Sequence, residues 1–171
     1  MPIHEGTASS IPLPSGIADA VVAAQAFHWF ANQESMHEIH RALKEGGHFA
    51  LIWNTRDHAQ GWQRELEQMI DGLYPSDVPR QQTGAWQQAF ESKYALFGPL
   101  QHRRFSFIQQ CTPEELAARV LSISIINSLP QDQKDGVRKR ILDFFATHPD
   151  TAGKSALGVA HSTDVYWAQK L

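Results

Sequence analysis

The sequence predicts an α/β fold built on a parallel sheet, and three observations carry that prediction. The first is Ile17–Phe30, read I-A-D-A-V-V-A-A-Q-A-F-H-W-F, whose centre is small and β-branched with no polar alternation. Such a run is the pattern of a strand buried on both faces. The second is a helical pattern that follows as far as Lys44 and is closed by Gly46-Gly47. The third is another apolar run, His48–Trp53. Strand, helix, glycine turn and strand make a βαβ unit. Its right-handed crossover places both strand C-termini on one edge, the side on which α/β proteins bind ligands.

The 171 residues, 42% hydrophobic and 19% charged, fit one domain, residues 1–171, with a substantial core. A net charge of -3 and the lack of a basic run give no footprint for nucleic acid. The single cysteine, Cys111, excludes an intrachain disulfide and fits a reducing compartment. No apolar run approaches the roughly 20 residues of a membrane span, and Met1–Glu5 carries no export signal. The expectation is a cytoplasmic protein without a membrane segment.

The elements follow in order. Residues up to Gly16, with Ser9-Ser10, Pro12, Pro14 and Ser15-Gly16, are loop chemistry, with Ile11 and Leu13 tucked under the sheet. The first strand is expected at Asp19–Gln25. Ala31–Lys44 reads as a helix, N-capped by Asn32, with Glu34 in its first turn and Met36, Ile39, Ala42 and Leu43 facing the sheet. The second strand, His48–Trp53, leads to Asn54-Thr55-Arg56-Asp57 just beyond its C-terminus.

Gly61–Leu73 carries Trp62, Leu66, Met69, Ile70 and Leu73 on one helical stripe, which Pro75 and Pro79 break. Ala85–Phe97 carries Trp86, Phe90, Tyr94 and Phe97, read as core aromatics on a shorter helix. His102–Gln110 alternates Arg103, Phe105 and Phe107 against Arg104, Ser106 and Ile108, a strand with two chemically different faces. Thr112-Pro113-Glu114-Glu115 is a capping-box start, for a helix expected to reach Leu129. A further helix is expected over Gln131–Thr147 and a last strand over Val159–Ala168.

Read in order, Glu5-Gly6-Thr7-Ala8, Ile11-Pro12-Leu13-Pro14, Asp19-Ala20-Val21-Val22, Gln25-Ala26-Phe27-His28-Trp29-Phe30, Leu43-Lys44-Glu45-Gly46-Gly47 and Ile52-Trp53-Asn54 resemble a class I S-adenosylmethionine-dependent methyltransferase. The resemblance implies a truncated Rossmann-like methyltransferase sheet flanked by helices. The family order is 3-2-1-4-5-7-6, and this chain maps onto strands 4, 5, 7 and 6, with the N-terminal half of the family fold absent. It also implies S-adenosylmethionine as cofactor, with Thr7 and Ala8 near the adenine and Gln25 and Ala26 near the methionine end. Phe27, His28, Trp29, Asn54 and Arg56 would line a substrate or small-molecule pocket, with His28 a candidate general base.

No Gly-rich loop precedes Asp19, and no acid there matches the family's ribose ligand. The expectation is therefore a methyltransferase-like chain that does not bind the cofactor or transfer methyl groups alone, acting as a homodimeric binding or scaffold module. The other reading is a working small-molecule methyltransferase completed by dimerisation or by a partner chain. The Ala20–Ala26 strand would lie at a sheet edge with no proline or lysine to protect it, so two copies are expected to meet there.

The remaining candidates have plainer readings. His37 and His40, at i and i+3, lack a third ligand, and no metal site is expected. Cys111 reads as a buried thiol, and Arg103-Arg104 as strand-face charges.

Overall fold

The computed structural model describes residues 3–56, 61–74, 78–91 and 95–171. Asp57, Pro75 and Tyr94 lie outside the described residues. Four strands, β1 (Ala18–Ala24), β2 (Leu43–Arg56), β3 (Gln101–Cys111) and β4 (Leu157–Gln169), form one sheet in the order β1-β2-β4-β3. That is the 4-5-7-6 order expected from the sequence. The helices are α1 (Gln33–Ala42), α2 (Gly61–Asp71), α3 (Pro113–Leu121), α4 (Ser124–Asn127) and α5 (Gln131–Thr147). The chain divides into two compact units, unit 1 comprising Met1–Asn54, Pro79–Phe105 and Thr163–Leu171, and unit 2 comprising Thr55–Val78 and Ser106–Ser162.

In unit 1, β1 and β2 run parallel, Val21 beside Phe49 and Ala23 beside Leu51. The crossover helix α1 starts where Asn32 accepts a hydrogen bond from the Ser35 amide (2.9 Å), and it buries Met36, Ile39 and Ala42. Leu43, Phe49, Leu51 and Trp53 complete the core with Phe27 and Trp86. The aromatic stripe serves this core: a 3-10 turn at Ala85–Phe90 carries Trp86 and Phe90 onto Phe27, Phe49 and Trp53. In unit 2 the core joins Trp62, Leu66 and Ile70 of α2 to Leu116 and Val120 of α3 and to Val137, Ile141 and Phe145 of α5. The capping box is present, Thr112 accepting from the Glu115 amide (3.2 Å) and the Glu115 carboxylate accepting from the Thr112 amide (2.8 Å).

Several expectations are corrected. β1 is not buried on both faces: Val22 is 56% exposed, and of the seven residues only Ala23 is fully buried. β1 is the sheet edge, with β2 on one side only. Gly46-Gly47 does not end the helix. The strand begins at Leu43, and Lys44–Gly47 is an irregularity in the β1–β2 register between Ala18–Leu43 and Ala20–His48. Gly46 takes φ +72° there, where a side chain would be strained, and buried Lys170 holds the excursion by donating to Leu43 O and Glu45 Oε1 (2.9 Å each). The helix expected to reach Leu129 breaks after Leu121. Ser122 Oγ donates to Arg119 O (2.7 Å) and Ile123 is extended. A Ser- and Ile-rich run competes poorly for helix. Among the described residues of the expected Ala85–Phe97 helix, Ala85–Phe90 form a 3-10 turn, and Phe97 instead bridges to Lys170.

Candidate functional site

The C-terminal end of β1 carries a residue held in a left-handed backbone conformation. Gln25 takes φ +58°, the one positive φ at a non-glycine among the described residues. Local strain of this kind concentrates at ligand-handling positions. Two bonds to β2 fix it: the Gln25 amide donates to Ile52 O (2.9 Å) and Gln25 Nε2 to Asn54 O (3.3 Å). Asn54 Oδ1 in turn accepts from Thr163 Oγ1 (2.7 Å). Two of the expected site residues, Gln25 and Asn54, are thus joined at the strand ends, with Thr163 added by β4.

The 3-10 turn Phe27–Trp29 sorts its three side chains by depth. Phe27 is a core residue with edge contacts to Phe30, Phe49, Trp86 and Phe90. Trp29 is 53% exposed. His28 is half-buried with its ring 5.2 Å from that of Trp29, and its Nδ1 is buried without a hydrogen-bond partner. Burial lowers its pKa from the usual histidine range, so the imidazole is neutral near pH 7. A neutral ring beside an exposed indole can accept or donate one proton to a small polar ligand, which is what a general base requires.

Ala8 and Ala26 meet in an open cleft of about 340 Å3 along β1. Its lining includes Ile11, Val21, Phe30 and Ile39, and every lining side chain is apolar. Thr7 stands in a tight turn, bridging to Ser10, with Oγ1 3.3 Å from Ser9 Oγ. Arg56 belongs to unit 2 and pairs there with Glu67.

Sequence reasoning missed what shapes the cleft loop. Arg41 on α1 donates to Ile11 O (3.0 Å), Leu13 O (2.9 Å) and Ser15 Oγ (3.1 Å) while pairing with Glu38 (2.7 Å). Glu38 Oε1 also accepts from the Ile11 amide (2.8 Å). These bonds hold the Glu38 carboxyl down at about 2. An acid and a base at i and i+3 was the available signal. The neighbouring histidines are engaged with backbone instead, His37 with Gln33 O (2.7 Å) and His40 with Leu171 O (3.3 Å). No group of three or more metal-ligating side chains occurs among the described residues.

A second polar centre in unit 1 was also missed. Asp164, 2% exposed, accepts from His102 Nε2 (2.6 Å), Arg104 Nε (2.8 Å) and Arg104 Nη2 (2.9 Å). Burial raises its pKa, but the hydrogen bonds from Arg104 and His102 and the guanidinium charge of Arg104 outweigh that, and the net direction is down. Tyr166 stacks on His102 with ring centroids 4.3 Å apart.

A family model described as a methyltransferase domain matches residues 1–51. An uncharacterised methyltransferase-like protein of Schizosaccharomyces pombe is 34% identical over 165 residues, covering 96% of this chain and 63% of the relative. An uncharacterised methyltransferase of Mycobacterium tuberculosis is 32% identical over 160 residues, covering 92% of this chain and 61% of the relative. The chain is a class I S-adenosylmethionine methyltransferase-like protein. It spans 61–64% of the length of these and one further curated relative. A type II methyltransferase candidate of Anaeromyxobacter dehalogenans shares the fold of this methyltransferase-like chain with TM-score 0.60 at 15% identity, over 96% of this chain and 69% of that one. The YcgJ protein of Bacillus subtilis does so with TM-score 0.50 at 16% identity, over 98% and 70%.

Proposed function

We propose that this methyltransferase-like chain is a binding or scaffold module that neither holds S-adenosylmethionine nor transfers methyl groups by itself, and that it works as a homodimer joined through β1. The observation that carries this is the open β1 edge. Alternate residues of a parallel strand direct their N–H and C=O to opposite sides. The Gln25 amide points to β2, so Ala20, Val22 and Ala24 direct theirs away from the sheet. A strand of small apolar residues with outward backbone groups is a pairing template. The wholly apolar cleft beside it offers no carboxylate to ribose hydroxyls, which supports the lack of independent cofactor binding. The free Cys111 fits the reducing cytoplasm.

Calorimetric titration with S-adenosylmethionine and with its demethylated product tests the cofactor half of this reading. The expected result is no heat at millimolar ligand with a folded sample. A Kd below ~100 μM, about -5.5 kcal/mol, would instead establish a site. A second reading is favoured by the strained Gln25, its tie to Asn54 and the neutral His28: a small-molecule methyltransferase whose cofactor site is completed across the dimer or by a partner chain. That reading expects the same heat to appear once the completing chain is added.

A further inference from the structure

Arg119 on α3 is held in one orientation by two acceptors of unit 2. Its Nη1 donates to Gln109 Oε1 on β3 (2.8 Å) and lies 3.0 Å from His161 Nε2 on β4. A guanidinium can only donate, so His161 Nε2 is the acceptor and the ring proton sits on Nδ1. The buried His161 ring stacks on Phe107 with centroids 5.2 Å apart. Burial, and then the charges of Arg119 and Arg56, lower its pKa and keep the ring neutral near pH 7. Both protons of Arg119 Nη1 are thereby engaged, and the plane of the guanidinium is set.

The other edge of that guanidinium is open. Its Nε and Nη2 donate to none of the described residues. Glu115, one turn earlier on α3, is turned instead to the Thr112 amide and hydroxyl (2.8 and 3.2 Å). Arg56 is met by Glu67, so the charge of Arg119 has no carboxylate against it among the described residues. Burial, reinforced by the Arg56 charge, pushes the Arg119 pKa below the usual guanidinium range, a penalty that a bound anion relieves. The side chain is only partly buried, which leaves that edge within reach of a ligand. Two parallel N–H donors in one plane match the two oxygens of a carboxylate. A phosphate group carries up to about two charges near pH 7, more than one uncompensated guanidinium neutralises.

We infer that unit 2 holds a binding site for the carboxylate of a small organic acid, gripped by the Nε–Nη2 edge of Arg119, with Gln109 and His161 as the residues that position that edge. The site uses no group of β1 or of the cleft beside it, so this inference depends neither on the dimer nor on cofactor binding.

The test titrates the full chain, labelled with 15N, with benzoate at constant ionic strength, and with benzamide as the uncharged molecule of the same shape. Benzoate is expected to shift the Arg119 Nε–H resonance saturably, with a low-millimolar Kd as fits so small a ligand. Benzamide should leave the resonance in place. Arg119→Lys keeps the charge and loses the fork, and should weaken benzoate by roughly tenfold, read from the Gln109 and Phe107 backbone amides. A resonance that does not move by about 50 mM benzoate, equal shifts with benzamide, or unchanged affinity in Arg119→Lys would overturn the inference. So would inorganic phosphate moving the resonance at lower concentration than benzoate. The wild-type Arg119 resonance needs no variant, so the test stays decisive if Arg119→Lys fails to fold.

Discussion

Asp164→Asn should weaken the protein by about 2–3 kcal/mol near pH 7, and the magnitude follows from the geometry. Asp164 is 2% exposed and accepts three hydrogen bonds from His102 and Arg104 at 2.6–2.9 Å. Hydrogen bonds to a charged group contribute roughly 1.5–3 kcal/mol each, so a simple sum would exceed 4 kcal/mol. The His102 and Arg104 side chains are 41% and 59% exposed, however, and water takes over their donors when the carboxylate goes. What remains is chiefly the loss of a charged acceptor at a buried position, hence about 2–3 kcal/mol. With m near 2 kcal/mol/M the urea midpoint should fall by about 1 M.

The pH dependence supplies a control. A carboxyl held below its unfolded pKa contributes stability that is present above about pH 4 and lost as pH falls through the folded value. The gap between wild type and Asp164→Asn should therefore close below about pH 4. A gap under about 0.5 kcal/mol at pH 7, or one that persists unchanged at pH 3, would refute the assignment of Asp164 as a charged anchor of β3 to β4.

Other outcomes follow from the same physics. His161 is 1% exposed, and Arg119 Nη1 lies 3.0 Å from its Nε2. Burial and then the charges of Arg119 and Arg56 lower its pKa, so its contribution is present above about pH 6.5 and lost as pH falls; His161→Gln should flatten that limb of a pH–stability curve. Gln25→Gly should relieve the left-handed backbone and raise stability by up to about 1 kcal/mol in thermal unfolding. Arg41→Ala should free the Ile11–Ser15 loop, read as faster hydrogen exchange at the Ile11 amide. In the wild type that amide's protection should hold above the ordinary Glu range near pH 4.5 and fade as pH drops toward 2, the folded value of Glu38.

The sheet order, the α1 N-cap, the α2 stripe, the Thr112 capping box and the span of α5 were legible because each is a local pattern with one dominant physical cause. The exposure of β1 was not, because Ala-Val-Val-Ala-Ala reads the same at a buried position and at an edge, and only the strand's neighbours decide. Ser122-Ile123 was misjudged for a related reason: the apolar spacing of the surrounding residues suits a helix, while a serine hydroxyl turning back on its own backbone ends one. At the site, Gln25, Asn54 and His28 could be singled out from the sequence. Asp164 could not, since its partners lie about sixty positions away on a different strand.

The central claim is that the open edge of β1 pairs two copies of this chain. Sedimentation equilibrium of wild type and Val22→Pro over a range of concentrations tests it most directly. The account predicts a species of twice the 19.2 kDa monomer mass for wild type, and a monomer with an intact circular-dichroism spectrum for Val22→Pro, because an outward amide is lost without touching the β1–β2 ladder. A wild-type chain that stays monomeric at high micromolar concentration, or a dimer that survives Val22→Pro unchanged, would contradict it.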